Sequence, residues 1–173
     1  MEAIGLNIIQ AANLVSGHPI IAVDLYDERL KLAEKVGATH LINSSKKDFF
    51  KEIKSIVGNN LNVFIDNTGS PEIIEKGYEL INREGRLILV GVPQKGKNIN
   101  IFSLPLHFGK TISGSYGGEC EPQKDIPRYL SLYSKGYFSI EEIVTERYSL
   151  KDINIAISRI REGSAVGRIM IDF

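Results

Sequence analysis

Apolar residues recur at Ile4, Ile8, Ile9, Ala12 and Val15, a helical stripe that stops before Ser16-Gly17-His18-Pro19. Pro19 to Asp24 is instead a short apolar run without alternation, the pattern of a strand buried on both faces of a parallel sheet. A charged amphipathic helix from Asp27 to about Val36 follows, with Gly37 as its stop. The same rhythm predicts a strand at His40 to Ile42, a helix from Lys47 to Val57, a strand at Asn62 to Asp66, a helix from Pro71 to Ile81 and the most apolar strand at Arg86 to Val90. Strands alternating with helices through short loops predict right-handed crossovers and an α/β, doubly wound parallel sheet. After Gly91-Val92-Pro93 the pattern predicts a weak strand near Asn98 to Phe102, another at Thr111 to Tyr116 and a helix from Asp125 to Ser134. Strand Ile143 to Tyr148, helix Leu150 to Ile160 and strand Arg168 to Phe173 complete the chain.

Composition narrows the function classes. With 21 basic and 21 acidic residues there is no positive field to recruit nucleic acid, so no nucleic-acid partner is expected. One cysteine, Cys120, excludes an intrachain disulfide, and no apolar run is long enough to span a membrane. No secretory signal is visible, and a reducing, cytoplasmic setting is expected.

A dinucleotide-binding crossover needs glycines at a helix N-terminus and an acid at the end of the next strand. Asp24 ends an apolar strand 19 residues after Gly5, near the separation of about 20 expected for an acid that holds the adenosine ribose. A carboxylate there accepts from two ribose hydroxyls and repels a 2′-phosphate, which favours NAD over NADP. Alternatively, Asp24 caps the helix that starts at Asp27. The glycine fingerprint is incomplete: Gly5 remains, while its two preceding positions fall at Glu2 and upstream of Met1. The fold expected is therefore a Rossmann-type sheet with the first strand and first glycines missing.

Several segments together resemble the C-terminal, NAD-binding half of zinc-containing alcohol dehydrogenases of the medium-chain superfamily. They are Ile4-Gly5, Val23-Asp24, Glu34 to Thr39, Asp66-Asn67-Thr68-Gly69, Leu89 to Pro93, Gly114 to Gly118, Ile143-Val144-Thr145, Tyr148 to Asn154 and Gly167-Arg168. The resemblance implies one domain over residues 1–173, with an appendage from about 117 to 173 that would pack on an absent catalytic domain. It implies that Asp24 takes the ribose and that Arg29 lies beside it, contacting the ribose or serving as a solvated helix charge. Thr68 and Gly69 would line the nucleoside groove, or form a capped turn before Pro71. Val90 and Val92, around Gly91, would offer backbone groups to the nicotinamide carboxamide, with Val90 as plain core the alternative. Arg168 would approach the pyrophosphate or be a surface charge, and Ile4 and Gly5 mark the first helix.

The family's zinc ligands come from the half that precedes this region. Here His18, His40, His107 and Cys120 lack metal-ligand spacing, and no nucleophile elbow is present. Zinc is therefore expected only in the missing domain, and no residue here is assigned a catalytic or metal role. By resemblance the activity is that of an NAD-dependent alcohol dehydrogenase, with the isolated chain inactive. The chain would be a truncated product, or a separate chain would carry the catalytic domain. The alternatives are an inactive nucleotide-binding or interaction module and a zinc-free reductase, which would favour NADP. The segment from Gly114 to Tyr129 resembles members acting on primary, aromatic or formaldehyde-derived alcohols. A homodimer is expected through the edge strand Thr111 to Tyr116.

Overall fold

The computed structural model describes residues 3–173; Glu2, where one fingerprint position falls, lies outside the described residues. In chain order the elements are α1 (Ala3–Leu14), β1 (Ile21–Asp24), α2 (Asp27–Lys35), β2 (His40–Asn43), α3 (Phe49–Val57), β3 (Leu61–Asp66), α4 (Pro71–Leu80), β4 (Ile81–Leu89), β5 (Thr111–Gly114), α5 (Pro122–Ser134), β6 (Val144–Ser149), α6 (Ile153–Arg161) and β7 (Arg168–Asp172). Every strand pair is parallel: β1 with β2, β3 with β4 and β4 with β5, and β6 with β7. Parallel pairs joined by helices are the α/β architecture that the alternating pattern predicts. Among the described residues no helix is long and apolar enough to cross a membrane.

Two compact units divide the chain, residues 1–47 with 123–173 and residues 48–122. In the first, Leu6 and Ile9 of α1, Ala22 of β1, and Leu30, Leu32 and Ala33 of α2 bury a common core that also takes in Ile143. Residues 123–173, expected as part of an appendage, thus share a unit with the opening helix. Gln10 reinforces this by pairing both ways with the Ser139 backbone, its amide donating at 3.0 Å and its oxygen accepting at 2.8 Å. In the second unit Ile74 and Tyr78 of α4 pack on Ile81 and Leu87 of β4. Burial pushes the Lys110 ammonium below its ordinary value of 10.5, and its Nζ donates to the Tyr78 carbonyl at 2.7 Å.

Most predicted elements appear within a few residues of their expected bounds. The strand expected at Asn98 to Phe102 does not form. Its backbone groups are taken instead by side chains of α4: the Asn100 N–H donates to Glu75 at 2.7 Å, and the Phe102 carbonyl accepts the Tyr78 hydroxyl at 3.0 Å. Ile99 and Ile101 still pack on the core, so an apolar alternation was satisfied without a ladder. β5 ends at Gly114, before Tyr116, Gly117 and Gly118 turn left-handed at φ of 44°, 62° and 71°. The helix expected from Leu150 starts as a 3₁₀ turn and becomes α-helical at Ile153.

β6 is tied to α6 by charge. Arg159 Nε lies 2.7 Å from Glu146 Oε2, and the Tyr148 hydroxyl donates to the same carboxylate at 2.8 Å. The guanidinium, helped by the hydroxyl, holds the Glu146 carboxyl below its ordinary value of 4.5. A carboxylate depressed in the folded state adds stability above its unfolded pKa, and that contribution is lost as pH falls through the folded value. Denaturation midpoints should therefore drop as pH is lowered below 4.5, and Glu146→Gln should make the drop shallower, as read by circular dichroism.

Candidate functional site

In the first unit the sequence places an acid where β1 runs out. Asp24 is 7% exposed, and its carboxylate accepts the Tyr26 N–H at 3.0 Å. Its carbonyl accepts the Ser44 N–H at 2.9 Å, which closes β2 onto the same corner. The side chain of Tyr26, the N-cap of α2, makes no cap bond, and the Asp24 carboxylate that accepts its N–H shapes the entry to the helix. Beyond it Asp27 is held below its ordinary value of 3.8 by hydrogen bonds from Lys46 and then Asn43.

Arg29, expected as a ribose contact or as a solvated helix charge, is 9% exposed, which speaks against the solvated charge. Its NH2 donates to the carbonyls of Gly163 at 2.7 Å and Ala165 at 2.9 Å, and its Nε to Ala165 at 3.2 Å. The guanidinium also lies 4.9 Å from the centroid of the Tyr26 ring. It is a buried cation satisfied by carbonyls, which a solvated charge is not. On α1, Gly5 is buried and Ile4 is 51% exposed. Arg168 opens β7 opposite Val144 and is exposed.

In the second unit Thr68, Gly69, Val90 and Gly91 all bond to one residue, Asp66, to which the sequence alone assigns no role of its own. Asp66, at the end of β3, is 1% exposed. Its Oδ1 accepts the Thr68 N–H at 3.0 Å and the Thr68 hydroxyl at 2.6 Å, and its Oδ2 accepts the Gly69 N–H at 2.9 Å. Its main-chain carbonyl accepts the N–H groups of Val90 at 2.8 Å and Gly91 at 3.0 Å. One residue therefore organises both the turn after β3 and the turn after β4. Thr68 Oγ1 in turn accepts the Ser70 N–H at 3.0 Å, leading into Pro71 and α4. The signal was an aspartate followed at two and three residues by Thr and Gly, the spacing at which a side chain bonds its own downstream backbone.

The two turns meet backbone to backbone. Gly69 has φ of +67°, and a Cβ on it would lie 2.5 Å from the Val92 carbonyl oxygen; one on Gly91 would lie 2.4 Å from the Gly69 nitrogen. The expectation for Val90 is narrowed: its N–H is committed to Asp66, so its carbonyl is the backbone group left to offer a ligand. Val92 is 89% exposed.

Residues 3–135 match the family model described as zinc-binding dehydrogenase. A probable S-(hydroxymethyl)glutathione dehydrogenase 1 of Schizosaccharomyces pombe is 28% identical over 98% of this chain and 45% of its own length. Among solved structures, a benzyl alcohol dehydrogenase from Acinetobacter calcoaceticus is 36% identical with a TM-score of 0.88, covering 98% of this chain and 47% of that one. An alcohol dehydrogenase zinc-binding domain protein from Burkholderia ambifaria is 31% identical with a TM-score of 0.90, over 99% and 46%. The chain thus spans about half the length of the relatives it matches.

Asp66→Asn replaces one acceptor oxygen by an amide donor that faces N–H groups already in place. Breaking a charged, buried set of this kind costs on the order of 2–3 kcal/mol, to be read as a lower urea midpoint. Gly91→Ala should destabilise comparably, since its Cβ would sit 2.4 Å from the Gly69 nitrogen.

Proposed function

The chain belongs to the zinc-binding dehydrogenase family, and on that premise we propose that it is the NAD-holding part of an alcohol dehydrogenase. The observation that carries the reading is Asp24, a buried carboxylate at the carboxyl end of β1. Nucleotides bind outside the carboxyl ends of strands in sheets of this kind, and an acid there accepts from the adenosine ribose hydroxyls. The same charge opposes the 2′-phosphate of NADP. By the resemblance, Arg168 meets the pyrophosphate in the first unit. In the second unit Thr68 and Gly69 line the nucleoside groove, and the backbone of residues 90–92 is available to the carboxamide. When bound, NAD accepts hydride from the alcohol carbon. The protein's part is to hold and orient the cofactor so that transfer occurs along one approach.

Zinc does not fit the residues described: among them no group of three or more His, Cys, Asp or Glu side chains lies together. We propose that the metal ligands are contributed by another segment, on this polypeptide or a separate one, and that the alcohols are primary, aromatic or formaldehyde-derived. A reducing, cytoplasmic setting fits a chain with one cysteine.

We further propose a homodimer through β5. β4 pairs with one side of β5, and among the described residues no strand pairs with the other. Thr111, Ser113 and Gly114 are exposed along it. An open strand edge of this kind is a template for its own copy, joined antiparallel across a two-fold axis. The Ser115 N–H donates to the Leu89 carbonyl of β4 at 2.9 Å. Backbone groups alternate sides along a strand, so the N–H of Ser113 turns the same way and that of Gly114 faces the open edge.

Fluorescence titration should show NADH bound at least about tenfold more tightly than NADPH, and Asp24→Ala should reduce that ratio to about threefold or less. Equal affinity of the unmutated chain for both would remove the ribose assignment. Light scattering should find a dimer at concentrations well above micromolar. Gly114→Pro, which deletes an edge donor, should give monomer or aggregate.

A further inference from the structure

A guanidinium is rarely buried unless something pairs with it. Among the described residues Arg29 pairs with no carboxylate; its partners are the carbonyls of Gly163 and Ala165 and the face of Tyr26. Tyr26 is itself fixed to Asp24 through its N–H. Arg29 therefore joins the Asp24 corner to a loop far along the chain. That loop is constrained throughout. Gly163 has φ of +70°, the Ser164 N–H donates to the Arg159 carbonyl at 3.0 Å, and the Gly167 N–H donates to Thr145 Oγ1 at 3.2 Å. A Cβ on Gly167 would lie 2.4 Å from the Ile143 carbonyl oxygen. The next residue is Arg168.

We propose that Arg29 is a positioning residue: its fork of donors fixes the 163–167 loop, and so sets where Arg168 is presented. Swinging the Nε and Nη2 side of the guanidinium away would cost Arg29 all three carbonyl bonds. The inference deepens the NAD reading, because it rests on Arg168 meeting the pyrophosphate. A lysine supplies the charge but not the planar fork, so charge and geometry can be separated.

The test compares Arg29→Lys, Arg29→Met, Arg168→Ala and Arg29→Met with Arg168→Ala in the full chain. Hydrogen exchange should speed up about tenfold or more over residues 163–168 in both Arg29 variants, with β2 unchanged. NADH affinity should fall about fivefold in Arg29→Met alone, and less than twofold once Arg168 is alanine. Unchanged exchange at 163–168 overturns the tether. A fivefold loss that persists without Arg168 overturns the proposal in favour of direct contact with the nucleotide. If the unmutated chain binds no NADH, the NAD reading and the Arg168 step both fail, while the exchange result still decides whether Arg29 holds the loop.

Discussion

A carboxylate removed from water must find donors where it lies, and Asp66 finds them in the backbone that follows it. The residue sits where β3 must stop and α4 must begin, and the bonds that satisfy its charge bend the chain between them. Because its own carbonyl receives the strand end at Val90 and Gly91, the two turns cannot be built independently. Four expected residues of the second unit, Thr68, Gly69, Val90 and Gly91, are bonded to this one aspartate.

Asp24 does similar work in the first unit, where its carboxylate accepts the Tyr26 N–H. It turns the chain from β1 into α2 and leaves the wider organisation to Arg29, which reaches from α2 to the loop before β7. Both strand-end acids are thus structural before any ligand arrives. Each carboxylate is oriented at least in part by N–H groups of its own turn.

Local periodicity made much of this legible. Apolar runs without alternation marked β1 and β4, and the stripes of α1 and α2 were clear because their cores lie close in sequence. Asn98 to Phe102 failed because Ile99 and Ile101 have a strand's alternation while their neighbours' backbone groups are taken by Glu75 and Tyr78 of α4, a competition that only tertiary structure reveals. The burial of Arg29 is likewise set by tertiary structure, at longer range. The carbonyls it bonds lie more than a hundred residues away, and an arginine in the first turns of a charged helix gives no sign that it is buried. Asp66 was readable in principle from the Thr and Gly that follow it, but such spacing is usually assigned to the turn rather than to its organiser.

The contact between Gly69 and Gly91 also bears on how this corner can change over time. The bare Cα of Gly69 leaves the clearance that the Val92 and Pro93 backbone occupies, and that of Gly91 the clearance for the backbone of residues 67–69. A side chain at either position pushes on main chain, which cannot rotate out of the way as a side chain could. No second substitution nearby can compensate by becoming smaller, since the opposing surface has nothing left to remove. Drift at the two positions is therefore blocked one step at a time, and a lineage could leave this arrangement only by rebuilding the loops together, through insertion or deletion.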